Sequence, residues 1–316
     1  MRMMSAEETR AALAWRPLVE ALRAMFASGC DMPVRHHHDF TVPGEPDGTL
    51  LLMPAWQVGE HLGVKIVNVV PGNADRGMAA ISAVYLLSDA KTGVMQAMVD
   101  GGELTARRTA AASALAADYL ARKDAKRLLV VGTGRLSVNL VEAHASVRDI
   151  DEVVIWGRNA DKAAAIAESV AKLGFRAEAA SDLAEAVAGA DIVSAATLST
   201  EPLVMGEWLT PGTHVDLVGG FKPTMREADD EAVRRARVFV DTRAGATKEA
   251  GDIVVPLQTG ALAMEDIAAD LYDLTRGKHA GRASDDEITL FKSVGAALED
   301  LAGAVLAYRT ATGEAE

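Results

Sequence analysis

The chain has 316 residues, 49% hydrophobic and 24% charged, with a net charge of −13 at pH 7, which is soluble-globular composition long enough for two domains. The acidic balance argues against nucleic acid or an anionic membrane as partner, and no apolar run approaches the roughly 18 residues that span a bilayer. One cysteine, Cys30, excludes an internal disulfide and a cysteine-built metal site, and the opening MRMMSAEETRAAL has no apolar signal core, so a reducing cytoplasm is the expected location.

Ser5, with Glu8 three residues on, is a capping box that opens a predicted helix over 5–27. MPVRHHHDF (32–40) follows. Three consecutive histidines invite a metal, but neighbours in an extended segment alternate faces and no Asp/Glu/His cluster partners them, so no metal is expected and the segment belongs to the surface or a pocket rim. From 49 to 100, LLLMPAW, HLGVKIVNVVP and ISAVYLLSDAKTGVMQAMVDG are rich in apolar and β-branched residues, with a hairpin turn over 89–93, and predict an antiparallel sheet. Lys65 stands inside the apolar strand over 64–70. A lysine there either snorkels to an edge or is held in a pocket by an anion.

ELTARRTAAASALAADYLAR (103–122) predicts an alanine-dominated helix opened by the DGG turn. Arg107 and Arg108 are about 100° apart on it, so one is expected to enter a pocket while the other stays in solvent. Arg108 shares a face with Thr105, Ala112 and Leu115 and is the candidate.

KRLLVVGTGRLSVNLVEAHASVRDIDEVVIWGR (126–158) carries the pattern with a mechanical explanation. An apolar strand (128–131) meets Gly132, Thr133 and Gly134; Gly132 permits the tight turn, Gly134 lets backbone approach a pyrophosphate, and Ser137 is small enough for a helix to lie close to the sheet. Pyrophosphate is expected on Gly132, Thr133, Gly134, Arg135, Leu136 and Ser137, facing the free N–H groups of the following helix. The second strand (153–156) ends in Gly157, Arg158 and Asn159, with Lys162 a turn later and no carboxylate at the place where NAD sites usually offer one. A 2′-phosphate near Arg158 is therefore expected, which favours NADPH, with NADH as the alternative.

Alternation of strand and helix continues to residue 241, and strand ends in such a sheet nominate Thr197, Leu198, Val218 and Gly219 for the cofactor crevice, with Ser293 added to the set. A strand-like ITLFKS and a helix from Val294 end the chain. The expected fold is α/β: a doubly wound Rossmann sheet over 124–293, and an N-terminal α+β substrate and dimerisation domain over 1–123 completed by 294–316.

Laid out in this way, the chain resembles the ornithine cyclodeaminase/mu-crystallin family over its full length. The residues that carry the likeness are GVKIVNVVPGN (63–73), LTARRTAAASA (104–114), VGTGRLS (131–137), TLSTEPLV (197–204), FVDTRAGATKEAGD (239–252) and FKSVGAALEDLA (291–302). The resemblance implies a homodimer using NAD(P) on small α-amino or α-imino acids, with the substrate carboxylate bound by Arg35, Lys65 and Arg108, so that C2 of a C=N bond faces the nicotinamide. Cyclodeaminases of the family place an Asp shortly after the Gly pair at 219–220. Here Phe221 stands at that position, and Asp229 and Asp230 lie on a predicted helix and are expected to be solvated. An apolar ring cannot accept a proton, so the likeness shifts toward the branch that reduces cyclic imino acids such as Δ1-pyrroline-2-carboxylate. Ornithine cyclodeaminase, an alanine-type dehydrogenase and an NADPH-holding crystallin-like protein are the alternatives.

Overall fold

In the computed structural model, which describes residues 1–314, the chain forms two compact units: Met1–Arg108 with the segment that starts at Ala297, and Thr109–Ala296. Among the described residues no helix is long and apolar enough to cross a membrane.

The first unit contains β1 (Arg2–Met4), α1 (Ala6–Ala12), α2 (Trp15–Ser28), β2 (His36–Phe40), β3 (Gly48–Trp56), β4 (His61–Val69), β5 (Ile81–Asp89), β6 (Met95–Asp100) and the start of α3 (Gly101–Leu120). Its six-stranded sheet has the order β1-β6-β5-β4-β3-β2, antiparallel throughout except that β1 runs parallel to β6. The Ser5 and Glu8 capping box forms, each side chain taking the other's backbone N–H at 3.2 and 2.9 Å.

The single helix expected over 5–27 breaks between Ala12 and Trp15. Pro17 explains the break, since it has no N–H for the Leu13 carbonyl and its ring would strike that turn of a continuous helix. The freed carbonyl is taken by Arg107 Nε at 2.8 Å, and the Arg107 guanidinium lies 3.8 Å from the Trp15 ring centroid. Arg107, expected in solvent, is therefore buried.

The second unit continues with β7 (Arg127–Val131), α4 (Leu136–Ala145), β8 (Glu152–Trp156), α5 (Ala160–Ala171), β9 (Arg176–Ala179), α6 (Leu183–Ala188), β10 (Ile192–Ala195) and β11 (His214–Leu217). It closes with α7 (Asp230–Arg235), β12 (Arg237–Val240), α8 (Arg243–Glu249), α9 (Gly251–Thr259), β13 (Ile267–Asp270), α10 (Leu271–Thr275) and β14 (Thr289–Lys292). Eight parallel strands in the order β13-β12-β14-β11-β10-β7-β8-β9 form the doubly wound sheet. Strand order reverses between β7 and β10, and ligands of such sheets bind beyond the carboxyl ends of the strands at that point. The last helix, α11 (Ala297–Thr312), returns to the first unit. It starts three residues later than expected because the Val294 and Gly295 N–H groups donate to Asp241 Oδ2, at 2.7 and 2.8 Å, and are unavailable to a helix.

The unit boundary falls inside α3, between Arg108 and Thr109, whereas the sequence places it after that helix, at 123/124.

Candidate active site

Strand alternation turns Lys65 of β4 to the buried face together with Gly63 and Val67, and only 3% of the residue is exposed. A buried ammonium needs a counter-charge. Asp300 Oδ2 supplies it at 2.6 Å, and Thr105 Oγ1 lies at 3.5 Å. Arg108 donates from Nη1 to Glu299 Oε2 at 2.6 Å and from Nε to Asp300 Oδ1 at 2.9 Å. Both acids are fully buried in the first turn of α11, where the helix dipole favours negative charge.

Burial dominates Lys65 and brings its pKa down to about 8; Asp300 opposes the fall, while Arg108 and Arg35 add to it, which puts Arg35 within electrostatic reach. Burial also works against the charges of Arg108 and Asp300. Asp300 and Glu299 nonetheless raise the Arg108 pKa, and Arg108 and Lys65 hold Asp300 below the usual carboxylate range. Lys65 and Arg108 thus meet two buried carboxylates, with the Arg35 charge adding positive potential at Lys65. Arg108 Nη2 makes no hydrogen bond among the described residues. Tyr85, opposite Lys65 on β5, has a buried hydroxyl with no hydrogen-bond partner there either. The arrangement gathers two oriented cations, an open guanidinium nitrogen and an unpartnered hydroxyl in one buried cluster.

In the second unit β7 ends in a turn at Gly132, whose φ of 132° is closed to residues with a side chain; a Cβ there would also stand 2.7 Å from the Ala196 carbonyl beyond β10. Ser137 Oγ donates to the Gly132 carbonyl at 3.0 Å and fixes the turn from within α4. A Cβ on Gly134 would meet nothing within 4 Å, so no protein neighbour demands that glycine. The space before α4 is open, as close approach of a pyrophosphate requires.

At the reversal of strand order lies a cavity of about 340 Å³, lined by Gly132, Thr133, Gly134, Trp156, Gly157, Arg158, Asn159, Lys162 and residues 196–199 and 203. Arg158 and Lys162 are exposed on it, and the Asn159 side chain caps α5 by accepting the Lys162 N–H at 2.9 Å.

The cavity thus gathers eight of the residues nominated for the cofactor: Gly132, Thr133, Gly134, Arg158, Asn159, Lys162, Thr197 and Leu198. Arg135 and Leu136 at the start of α4 are not on its lining. Ser137, Val218 and Ser293 are buried in the scaffold, and Gly219 packs against the Thr197 backbone. Phe221 is 43% exposed. Asp229 and Asp230, expected in solvent, are engaged: Asp229 accepts from Ala232 N and Gly206 N at 2.8 Å, and Asp230 pairs with Arg226 at 2.9 Å.

Sequence reasoning missed Glu299 and Asp300, and also a second buried cluster of Glu227, Asp252 and Lys292. The signal was present for all but Glu227. Glu299, Asp300, Asp252 and Lys292 stand in an apolar run, AALEDLAGAV, GDIVVP or ITLFKS, or beside one, by the same criterion that singled out Lys65, whereas Glu227 lies in the charged stretch MREADDE and gave no such signal.

The ornithine cyclodeaminase/mu-crystallin family model matches residues 2–315. The chain belongs to that family. Among its relatives, a Δ1-pyrroline-2-carboxylate reductase of Paracoccus denitrificans is 41% identical over 290 residues, covering 92% of this chain and 90% of its own. The structure of the Thermococcus litoralis Δ1-pyrroline-2-carboxylate reductase in complex with NADH and L-proline aligns with a TM-score of 0.91 at 34% identity, covering 99% of this chain and 98% of that one. An archaeal alanine dehydrogenase dimer with bound NAD aligns with a TM-score of 0.91 at 30% identity, over 99% and 97%. The family architecture expected from the sequence, a Rossmann sheet with a separate antiparallel-rich α+β unit, is the one found.

Proposed function

We propose that this member of the ornithine cyclodeaminase/mu-crystallin family reduces the C=N bond of small cyclic imino acids with a nicotinamide cofactor. Δ1-Pyrroline-2-carboxylate would give L-proline, and the six-membered Δ1-piperideine-2-carboxylate L-pipecolate. The observation that carries this reading is the buried cation cluster, in which Arg35 lies within electrostatic reach of Lys65 and Arg108 keeps an open guanidinium nitrogen, while no carboxylate stands at Phe221. Relatives named for this reduction support it. A cyclodeaminase needs an acid near the amino group, and an exposed phenyl ring cannot serve.

The residues present fit the cofactor. Gly132, Gly134 and the start of α4 would hold the pyrophosphate, and Arg158 and Lys162 would hold the 2′-phosphate of NADPH, on the rim where an NAD site would carry an acid. When bound, the reduced nicotinamide supplies the hydride that C2 of the imine takes up. The protein's own work is positioning and a proton. Lys65, Arg108 Nη2 and Arg35 hold the carboxylate, and fixing a reactant in this way contributes up to about 7–11 kcal/mol of barrier lowering. The ring nitrogen takes a proton. With its pKa near 8, Lys65 is the cation of the cluster able to give one up around neutrality, and Asp300 holds its Nζ in place.

The test follows reduced-nicotinamide absorbance with Δ1-pyrroline-2-carboxylate, Δ1-piperideine-2-carboxylate, pyruvate plus ammonia, and L-ornithine in parallel, with NADPH and NADH. Turnover of the cyclic imines is expected, with NADPH preferred. Ammonia release from L-ornithine without imine reduction would overturn the reading, and tight NADPH binding without turnover on any substrate would favour a cofactor-holding protein. The same reading includes a homodimer, in keeping with the dimeric archaeal relative; light scattering on the purified chain checks it.

A further inference from the structure

We propose that Glu227 is a positioning residue that sets the dinucleotide-binding shape of the crevice wall at residues 196–199, by tying the end of β10 to the end of β11. The inference rests on the reading of that crevice as the nucleotide site.

The β10–β11 ladder reaches its last registered pair at Ala195 and Leu217, and Val218 N still donates to Ala195 O at 2.8 Å. Beyond that point no backbone hydrogen bond joins the two strand ends among the described residues. Glu227 replaces the ladder. Its Oε1 accepts the Thr197 N–H at 2.6 Å and the Thr197 hydroxyl at 2.9 Å, while its Oε2 accepts the Gly219 N–H at 2.7 Å and the Gly220 N–H at 3.3 Å. One carboxylate therefore fixes both loops. A Cβ on Gly219 would run into the Thr197 backbone and Glu227 Oε1, so the glycine is demanded by this close approach.

The carboxylate is itself held. Asp252, in the first turn of α9, accepts the backbone N–H groups of Glu227 at 2.7 Å and Ala228 at 3.1 Å on Oδ1. Lys292, at the end of β14, stands 3.3 Å from Asp252 Oδ2 and 3.8 Å from Glu227 Oε2, and all three are fully buried. Buried charge clusters are poor stability devices, because well-packed apolar replacements are often neutral or stabilising. What such a cluster supplies is a single geometry. None of the three lines the cavity, yet Thr197 does, so the cluster acts through another residue.

Ionised Glu227 can accept all four donors, whereas the protonated acid must present an O–H to one of them. The groups facing it are Lys292, Asp252 and, behind Lys292, Asp241. Burial pushes the Glu227 pKa up to about 7, Lys292 opposes and Asp252 adds. Cofactor affinity should then weaken as pH falls through that value.

The test measures the NADH dissociation constant of the intact protein by energy transfer from tryptophan, on both sides of neutrality, in wild type, Glu227→Gln, Lys292→Met and Gly134→Glu. Glu227→Gln should bind NADH about tenfold to a hundredfold more weakly above neutrality, the loss expected for hydrogen bonds to a charged group. Its affinity should no longer vary with pH, while its melting temperature stays close to wild type. Lys292→Met should keep the pH step but move it upward. Wild-type affinity with an unchanged pH step in Glu227→Gln overturns the inference; so does a weakening that tracks lost thermal stability with the step intact. Gly134→Glu, which fills the open space before α4 with a like charge, separates the two levels. If it abolishes binding while Glu227→Gln does not, only the role of Glu227 falls; if it too binds NADH normally, the crevice reading falls.

Discussion

Lys65 in one unit and Lys292 in the other are both buried and both stand against paired carboxylates, but the charge balance around them differs. Around Lys65, two cations meet two acids with Arg35 within electrostatic reach, Arg108 Nη2 has no partner among the described residues, and the Tyr85 hydroxyl is likewise unpartnered there. Around Lys292, one cation faces two acids, and their surplus is absorbed by four N–H or O–H donors on Glu227 and two on Asp252. On the proposed reading, a substrate carboxylate completes the first cluster. The second spends Glu227 and Asp252 Oδ1 on N–H and O–H donors of the protein and so holds backbone in place. Burial of a charge alone does not separate a ligand site from a scaffold; what the charged groups bond to does.

The largest effects should come from breaking the cluster around Lys65. Arg108→Met removes the partner of both Glu299 and Asp300, and kcat/KM should fall roughly a thousandfold, as truncating one member of a buried charge pair costs about 2–5 kcal/mol. NADH should bind as before, and titration of the variant checks this. A variant that loses cofactor binding as well would erase the division of labour between the clusters. On the rim of the crevice a smaller effect is expected. Arg158→Ala should weaken NADPH by about tenfold to a hundredfold through loss of a charge-assisted contact and leave NADH unaffected, as read from the two KM values. Equal losses for both cofactors would remove Arg158 from 2′-phosphate recognition.

The pH profile sharpens the comparison further. Turnover that depends on protonated Lys65 should fall as pH rises through about 8. Asp300 raises the Lys65 pKa, so taking away its charge in Asp300→Asn should move that falling limb to lower pH. Profiles of kcat in wild type and variant check the sign. A limb that stays in place, or moves upward, would take the proton away from Lys65.

How much of this was legible beforehand depends on which side of each contact a residue occupied. The βαβ unit around Gly132 was readable because an apolar strand, a glycine turn and a second strand leave a local record within about thirty residues. Lys65 stood out because a lysine interrupts a strand of valine and isoleucine, but that interruption alone left both an edge and a pocket open, and the family resemblance made it a candidate. Its partners Glu299 and Asp300 obey the same rule in mirror image, but acids near the start of an amphipathic helix also suit its solvent face and its dipole, so the local pattern is ambiguous. Only the distance from Lys65 to residue 300 in space resolves it. Arg107 was misplaced for a related reason: its partner is the Leu13 carbonyl that Pro17 leaves unpaired, 94 positions away in sequence.

The smallest expected effect tests whether Asp300 or Thr105 holds the Lys65 ammonium. Thr105 Oγ1 lies 3.5 Å from Lys65 Nζ, at the limit of a hydrogen bond, whereas Asp300 Oδ2 lies at 2.6 Å and carries charge. Valine has nearly the shape of threonine, so Thr105→Val removes the hydroxyl and little else. If the ion pair fixes the ammonium, kcat/KM should change by no more than about threefold, below the roughly 1 kcal/mol of an ordinary hydrogen bond, and the alkaline limb should stay where it is. A loss beyond about tenfold would exceed what so long a contact can give. The hydroxyl would then have to act on the substrate itself, and the anion receptor would include the first turns of α3 as well as the cations.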